Sequence, residues 1–433
     1  MSVRTQPELP VPDTAGATAF FLQQDPADLP LIDALSGMHG ATAGFRSEPL
    51  VEAMATQMRY WPYALAPVDD SSEPSRRLAL ALQQAAPGDL NHVWFTESGA
   101  TAMDLAVRTV VFLSNACKQP QCKHFIAVER SDHGSVGAAA GLTGIDRLQK
   151  GFDLPEPTQH HIPSPYPYRH PAGPDARAVL DATVQAFRDK TKQIGRRDVA
   201  AFVCEPIQCA GGVIVPPTGF LRAMRDACDE EGVLMIVDER ATAFRMSGIR
   251  FACELDDISP DILIVGSGLT LGYLPLGAMI LSDRLHRAID DGTPGGWPFK
   301  HVAHPASAAA ALAAMSLMSS SLLTSSQESA GRFQDRLRAF ADHPLVGDAR
   351  GRGLLGGLEL VRDKRSKARL TLSQETGAVL ARIGRINGLV FKVFSDGILG
   401  LAPPLCITPD VVDLLMDRLR ATLDQFQTEW SAG

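Results

Sequence analysis

The most constraining feature of this sequence is a series of short apolar segments that alternate with helical patterns. Apolar runs occupy residues 199–205, 233–238, 261–265 and 277–282, and an amphipathic helical pattern occupies residues 219–231. Short apolar strands that alternate with helices are typical of a parallel sheet with both faces covered. This part of the chain is therefore predicted to form the centre of an α/β domain.

The pattern changes near residue 330, where two helical segments flank shorter strands. We predict a large α/β domain with a mostly parallel central sheet over residues 66–325, and a smaller C-terminal α+β domain over residues 326–433. Residues 1–65 are predicted to be an N-terminal segment that packs with the small domain. Residues 151–175 hold seven prolines and few periodic apolar positions, which predicts a long loop.

Composition excludes several classes of function. The 433 residues are 45% hydrophobic, which is enough for more than one domain. A net charge of −8 without a basic cluster disfavours binding to nucleic acid or to an anionic membrane. The seven cysteines are scattered and include no Cys-x-x-Cys pair, so a reduced, cytoplasmic protein without a metal site is expected. Neither a signal peptide nor a membrane span is predicted.

Polar residues and glycines lie at the ends of the predicted strands. Glu205, Asp238 and Ser267 stand at or just past such ends, as do residues 96–101 and 131–134. In open α/β sheets, ligands bind beyond the carboxyl ends of the strands. These separate segments are therefore predicted to meet in one pocket that binds a small molecule.

Six segments carry a series of motifs over most of the chain. They are HVWFTESGATAMDLAVR (92–108), ERSDHGSVGAAAGLTGI (129–145), FVCEPIQCAGGVIVPPTGF (202–220), IVDERATAF (236–244), FACELDDISPDILIVGSGLTLGYLPLGAMILS (251–282) and RGLLGGLEL (352–360). Their order and spacing resemble the class III PLP-dependent aminotransferases, especially the omega-amino acid:pyruvate type. The resemblance implies the fold type I architecture and a homodimer with PLP at the subunit interface.

The resemblance also implies roles for individual residues. Asp238 matches the strand-end aspartate that holds the pyridinium nitrogen of the cofactor, which lets the ring act as an electron sink. Glu205 matches a supporting acid, and His133 matches the histidine that follows the ring-stacking aromatic residue. Gly99 and Ala100 fall in the phosphate-binding run, where backbone N–H groups at a helix start can hold an anion.

Three positions depart from the family pattern around the cofactor ring. Ser267 stands where the family has the lysine that forms the Schiff base, and a neutral hydroxyl is a poor base and nucleophile at pH 7. Asp132 and Arg240 replace the stacking aromatic residue and the aliphatic residue on the opposite ring face. We predict that they pair across this slot or hold a polar ligand between them. Arg240 is two residues from Asp238, so it could also neutralise that carboxylate.

Four further positions are candidates for ligand contacts. Lys300 falls at a phosphate-binding threonine that the partner subunit supplies in the family; it could attract an anion, serve a new role or be an exposed loop lysine. His39 replaces a tryptophan near the N-terminus, and Lys392 replaces an arginine that often binds the substrate carboxylate. Trp61 is a candidate aromatic wall of the substrate site.

Three functions are compatible with this pattern. The expected one is an enzyme without a cofactor that acts on a small carboxylated, amino or phosphorylated metabolite. Its catalytic residues would come from Ser267, Asp132, His133, Arg240 and Lys300, with Ser267 as nucleophile and His133 as base in one version. The second is a protein that binds PLP or PMP non-covalently for unusual aminotransferase-type chemistry. The third is a non-catalytic partner subunit of an active aminotransferase.

Overall fold

A computed structural model describes residues 21–22, 29–36, 42–63, 72–152, 158–244, 249–293, 302–318, 322–370 and 372–431. The strands in these ranges are β1 (Phe21–Leu22), β2 (Leu31–Asp33), β3 (Leu90–Thr96), β4 (His124–Val128), β5 (Gln159–Ile162), β6 (Val199–Cys204), β7 (Leu234–Asp238), β8 (Ile262–Val265), β9 (Gly277–Ser282), β10 (Val346–Arg352), β11 (Leu355–Asp363), β12 (Ala368–Arg369), β13 (Leu389–Val390), β14 (Lys392–Val393) and β15 (Ile398–Leu401). The helices are α1 (Glu48–Tyr60), α2 (Glu73–Ala85), α3 (Gly99–Ala116), α4 (Gly137–Leu142), α5 (Asp146–Gln149), α6 (Ala176–Ile194), α7 (Phe220–Glu231), α8 (Asp283–Gly292), α9 (Pro305–Leu317), α10 (Leu323–Arg338), α11 (Gln374–Ile386) and α12 (Pro409–Ser431).

The large sheet has the strand order β3-β9-β8-β7-β6-β4-β5. Strand β9 is antiparallel to both of its neighbours, and the other neighbouring pairs are parallel. Successive residues of the central strands point into different apolar clusters: Phe202 and Val237 lie in one, and Val203 and Ile236 lie in the other. Both faces of the sheet are therefore buried, and the predicted α/β fold with a mostly parallel central sheet is confirmed.

The edge strand β5 lies inside the proline-rich stretch that was predicted to be a loop. It pairs in parallel with β4, from Phe125 opposite Gln159 to Val128 opposite Ile162. Three of its four residues are polar, so no alternation of apolar side chains marks it in the sequence. Backbone hydrogen bonds to β4 make this strand, and they do not depend on a hydrophobic pattern.

The C-terminal part of the chain forms a second, antiparallel sheet. Its strand order is β10-β11-β15-β14, and β12 pairs with the outer part of β11. The N-terminal strand β2 pairs in parallel with β13, so the first and last thirds of the chain share a small three-stranded sheet. The exact domain boundaries stay predictions. None of the helices in the described ranges is both long enough and apolar enough to cross a membrane.

Candidate active site

The predicted site residues meet at the carboxyl edge of the large sheet. Five of them lie at or just after the ends of different strands: Gly99 follows β3, Asp132 follows β4, Glu205 follows β6, Asp238 ends β7 and Ser267 follows β8. These loops surround a cavity of about 560 Å³. The predicted residues that line it are Gly99, Ala100, Asp132, Glu205, Arg240, Ser267 and Lys392.

Helix α3 begins at the floor of the cavity with a reciprocal cap. The Ser98 hydroxyl accepts a hydrogen bond from the Thr101 backbone N–H at 3.2 Å, and the Thr101 hydroxyl accepts one from the Ser98 N–H at 3.1 Å. Such a capping box satisfies two of the N–H groups that a helix start leaves unpaired. A Cβ atom on Gly99 would overlap the side chain of Arg240 as it lies here, so the glycine leaves room for that side chain.

Asp238 is the buried centre of the site. One of its carboxylate oxygens lies 2.8 Å from His133 Nδ1, and both lie 3.0 Å from Arg240 Nε. Burial alone would raise the pKa of Asp238, but the Arg240 charge and the His133 hydrogen bond outweigh it and hold the pKa below its ordinary value. Asp238 is therefore ionised at neutral pH.

His133 is hydrogen-bonded to Asp238 and not to Ser267. Because the Asp238 carboxylate only accepts hydrogen bonds, His133 Nδ1 is the donor in their contact. His133 Nε2 is buried and has no hydrogen-bond partner among the described residues. The version with Ser267 as nucleophile and His133 as base stays a prediction, and no hydrogen bond from His133 Nε2 to Ser267 supports it.

Arg240 and Asp132 meet across the slot, which was one of the two predicted arrangements. Arg240 Nη2 donates to the backbone carbonyl of Asp132 and lies 3.7 Å from its carboxylate Oδ1. Burial alone would lower the pKa of Arg240, but the carboxyl groups of Asp238, Asp132 and Glu205 outweigh burial and raise the pKa above its ordinary value. The guanidinium is thus a permanent cation held between two acidic residues.

Glu205 contacts the backbone of Asp132, and its pKa moves in the direction opposite to that of Asp238. Its Oε2 accepts a hydrogen bond from the Asp132 backbone N–H at 3.0 Å. Burial, and then the nearby charge of Asp238, raise the pKa of Glu205 well above its ordinary value of 4.5. Its surroundings therefore favour the protonated form of Glu205 more than water favours that of an ordinary glutamate.

The opposite wall of the cavity is cationic. Lys392 on β14 and Arg147 on α5 both line it, and neither forms an ion pair with another described residue. Burial lowers the pKa of Lys392, and the charge of Arg147 lowers it further. Arg147 was not predicted to line the cavity, because it lies far in the sequence from the other residues of the site and no local pattern indicates that it joins them.

The structure places three predicted residues nowhere in this arrangement: two lie outside the described residues, and one lies elsewhere on the chain. His39 and Lys300 lie outside the described residues. Trp61 was predicted to be a substrate wall, but it does not line the cavity and is 46% exposed. It follows the last residue of α1 in an extended conformation, which carries its ring to the surface of this chain.

Comparison with known proteins gives the family. Residues 7–423 match the family Aminotransferase class-III. The chain is 34% identical to the putrescine–pyruvate aminotransferase of Pseudomonas aeruginosa, over 91% of this chain and 87% of the relative. It is 32% identical to a probable mitochondrial gamma-aminobutyrate transaminase 3 of rice, over 90% of this chain and 79% of the relative. The omega transaminase from Pseudomonas jessenii, solved in complex with PMP, superposes with a TM-score of 0.90 at 31% identity, covering 96% and 92% of the two chains.

These matches overturn one prediction. Class III relatives, with a solved PMP complex among them, point to dependence on PLP or PMP, so the expectation that no cofactor is bound is wrong. That expectation rested on three altered ring contacts, whereas Asp238 and the capped start of α3 remain in place. With the family matched over nearly its whole length and the fold superposed on solved transaminases, the chain belongs to the class III aminotransferases.

Proposed function

We propose that the protein binds PMP or PLP without a covalent bond and uses it for aminotransferase-type chemistry on a small carboxylated substrate. The observation that carries this proposal is the pairing of a retained Asp238 with a serine at position 267. Asp238 is buried and ionised at the end of β7, as the holder of a pyridinium nitrogen must be. Ser267 stands at the position proposed for the Schiff-base lysine, and a hydroxyl cannot form an imine.

The residues present fit both ends of such a cofactor. Asp238 would hold the ring nitrogen, with His133 keeping the carboxylate in place from behind. The first turn of α3, at Gly99 and Ala100, would face the phosphate, where backbone N–H groups and the helix dipole favour an anion. When bound, the cofactor supplies an electron sink. Between the two ends lies the Arg240 side chain, which must leave Asp238 before the ring nitrogen can reach it.

The protein's own groups supply the remaining chemistry. Glu205, whose pKa is raised by burial and by the charge of Asp238, lines the cavity beside Asp132 and would be the group that holds a proton there. Lys392 and Arg147 provide two cations for a substrate carboxylate on the opposite wall. Relatives named for pyruvate and for gamma-aminobutyrate, both carboxylates, support this choice of substrate class.

We also propose a homodimer with the site at the subunit interface. Apolar side chains on and just after α1 support it, because they are exposed on the single chain: Val51, Met58, Tyr60, Trp61 and Tyr63. Contiguous exposed apolar residues of this kind mark interaction surfaces. A cytoplasmic location stays a prediction from the cysteine pattern.

The test is to titrate the purified protein with PMP and, separately, with PLP. Calorimetry measures the binding, and the melting temperature measures the stabilisation. Both ligands should bind, and a concentration 100 times the Kd should stabilise the fold by about 2.7 kcal/mol. PMP-loaded protein should change its absorbance on addition of a small oxo acid such as pyruvate. After PLP and borohydride, the Ser267→Lys variant should gain the mass of one cofactor, whereas wild type and the Ser267→Ala control should not.

The outcomes separate the candidate functions. Covalent attachment of PLP to wild type at the same level as to Ser267→Lys would contradict the proposal. Failure of the folded wild type to bind either ligand would also contradict it, and would favour the non-catalytic partner subunit. That second function is checked by mixing the protein with an active class III aminotransferase and measuring the mass of the complex.

A further inference from the structure

Arg240 fills the part of the cavity that faces Asp238. Its Nε lies 3.0 Å from each Asp238 carboxylate oxygen, and its backbone N–H donates to Oδ1 at 3.1 Å. Its aliphatic stem packs on Gly99 and contacts Gly266, where an added Cβ would lie 3.4 Å from the stem. The side chain therefore occupies the space between the ends of β3, β7 and β8.

The guanidinium gives Asp238 what a pyridinium would give it. Both groups are planar cations that direct an N–H toward a carboxylate, and a carboxylate that accepts one such bond stays ionised in a buried place. Asp238 is thus satisfied by the chain itself, through Arg240 on one side and His133 on the other. A cofactor ring therefore has to compete with the Arg240 side chain, which is part of the protein and always present at the site.

We propose that Arg240 is a built-in competitor of the cofactor, which makes PMP or PLP an exchangeable ligand rather than a permanent prosthetic group. This inference rests on the proposed function. The apparent Kd is the intrinsic Kd divided by the fraction of molecules with Arg240 withdrawn from Asp238. Because no covalent bond to a lysine holds the cofactor against this competition, the cofactor should dissociate when its free concentration is lowered by dilution.

A second acidic partner lets Arg240 move without leaving its charge unpaired. Arg240 Nη2 already lies 3.7 Å from Asp132 Oδ1, and the Arg240 and Asp132 side chains are 21% and 34% exposed. Asp238, by contrast, is 2% exposed and has no room to follow. Rotation of Arg240 toward Asp132 therefore frees Asp238 for a ring nitrogen while keeping one ion pair.

The experiment is calorimetric titration of PMP into four folded proteins: wild type, Arg240→Leu, Arg240→Gln and Arg225→Leu. Arg225 is a matched control, because it forms another buried ion pair, 2.8 Å from Asp261, away from the cavity. Both Arg240 variants should bind PMP at least about tenfold more tightly than wild type, and their melting temperatures should rise more on binding. Arg225→Leu should lose stability but bind PMP like wild type. If Arg240→Leu does not fold, Arg240→Gln provides the comparison, because its amide group can still donate a hydrogen bond to Asp238.

The results distinguish this inference from the proposed function. If wild type binds PMP and the Arg240 variants bind it equally or more weakly, the inference is overturned and the proposed function stands. If only the Arg240 variants bind, the inference stands and cofactor binding by the native protein fails. If none of the folded proteins binds PMP, both are overturned.

Discussion

Asp238 and Glu205 are both buried carboxyl groups, yet their pKa values move in opposite directions. Burial penalises the charge of each. Asp238 has Arg240 and His133 as direct partners, and these outweigh the penalty. Glu205 accepts one hydrogen bond from a backbone N–H, and the charge of Asp238 adds to the effect of burial. Direct partners, rather than depth in the protein, therefore decide the direction in which each pKa moves.

This difference predicts a pH effect of the Glu205→Gln substitution. Because the folded-state pKa of Glu205 is raised, its contribution to stability is full below its ordinary value of 4.5. That contribution is lost as pH rises toward the folded pKa, by up to about 1.4 kcal/mol per pH unit for one proton. Glutamine cannot lose a proton, so the stability of Glu205→Gln relative to wild type should increase from about pH 5 to pH 8. Urea unfolding across this range measures it, and a constant difference would contradict it.

At the level of elements, the substrate wall depends on two pieces of secondary structure from distant parts of the sequence. Strand β14 brings Lys392 to the cavity, and the single helical turn α5 brings Arg147. Burial lowers the pKa of Lys392, and the charge of Arg147 lowers it further, so an anion between the two side chains would favour the charged lysine. Two cationic side chains that line one cavity are suited to a carboxylate.

The affinity for a small carboxylate is accordingly predicted to depend on pH. Lys392 attracts it only when protonated, so affinity should fall as pH rises through a pKa that lies below the ordinary 10.5. Arg147→Gln removes a charge that lowers this pKa, and should move the midpoint of the fall to higher pH. Lys392→Met should weaken binding and remove the pH dependence. Pyruvate titrations of PMP-loaded protein over a pH series measure all three, and an unchanged midpoint in Arg147→Gln would argue against this pairing.

For the whole molecule, the exposed apolar side chains around the end of α1 predict self-association. Tyr60 is 84% exposed and Trp61 is 46% exposed on the single chain. The double substitution Tyr60→Ser, Trp61→Ser should shift the protein from twice the chain mass toward the chain mass in analytical ultracentrifugation. Ile386→Ser, which changes an exposed apolar residue at the end of α11, is the control and should leave the mass unchanged. Wild type that sediments as a monomer at every concentration would refute the proposed dimer.

Most of the fold could be predicted because its signals are local. The buried strands β6 to β9 are continuous apolar runs, and the predicted bounds of β9 are those observed. Strand β5 could not be predicted, because its formation depends on pairing with β4 rather than on its own side chains. The convergence of Gly99, Asp132 and Asp238 followed from one rule about strand ends.

The chemistry of the site was only partly accessible in this way. Motif order pointed to Asp238, Glu205 and Arg240, and two-residue spacing at a strand end put Arg240 beside Asp238. Sequence spacing does not determine which neighbour a flexible side chain selects, so it could not show that His133 binds Asp238 and not Ser267. Packing likewise decided that Arg147 lines the cavity, that Trp61 is exposed and that the pKa values of Glu205 and Asp238 move in opposite directions. Strand order and motifs are properties of neighbouring residues, whereas hydrogen-bond partners and pKa values arise only when distant segments are brought together.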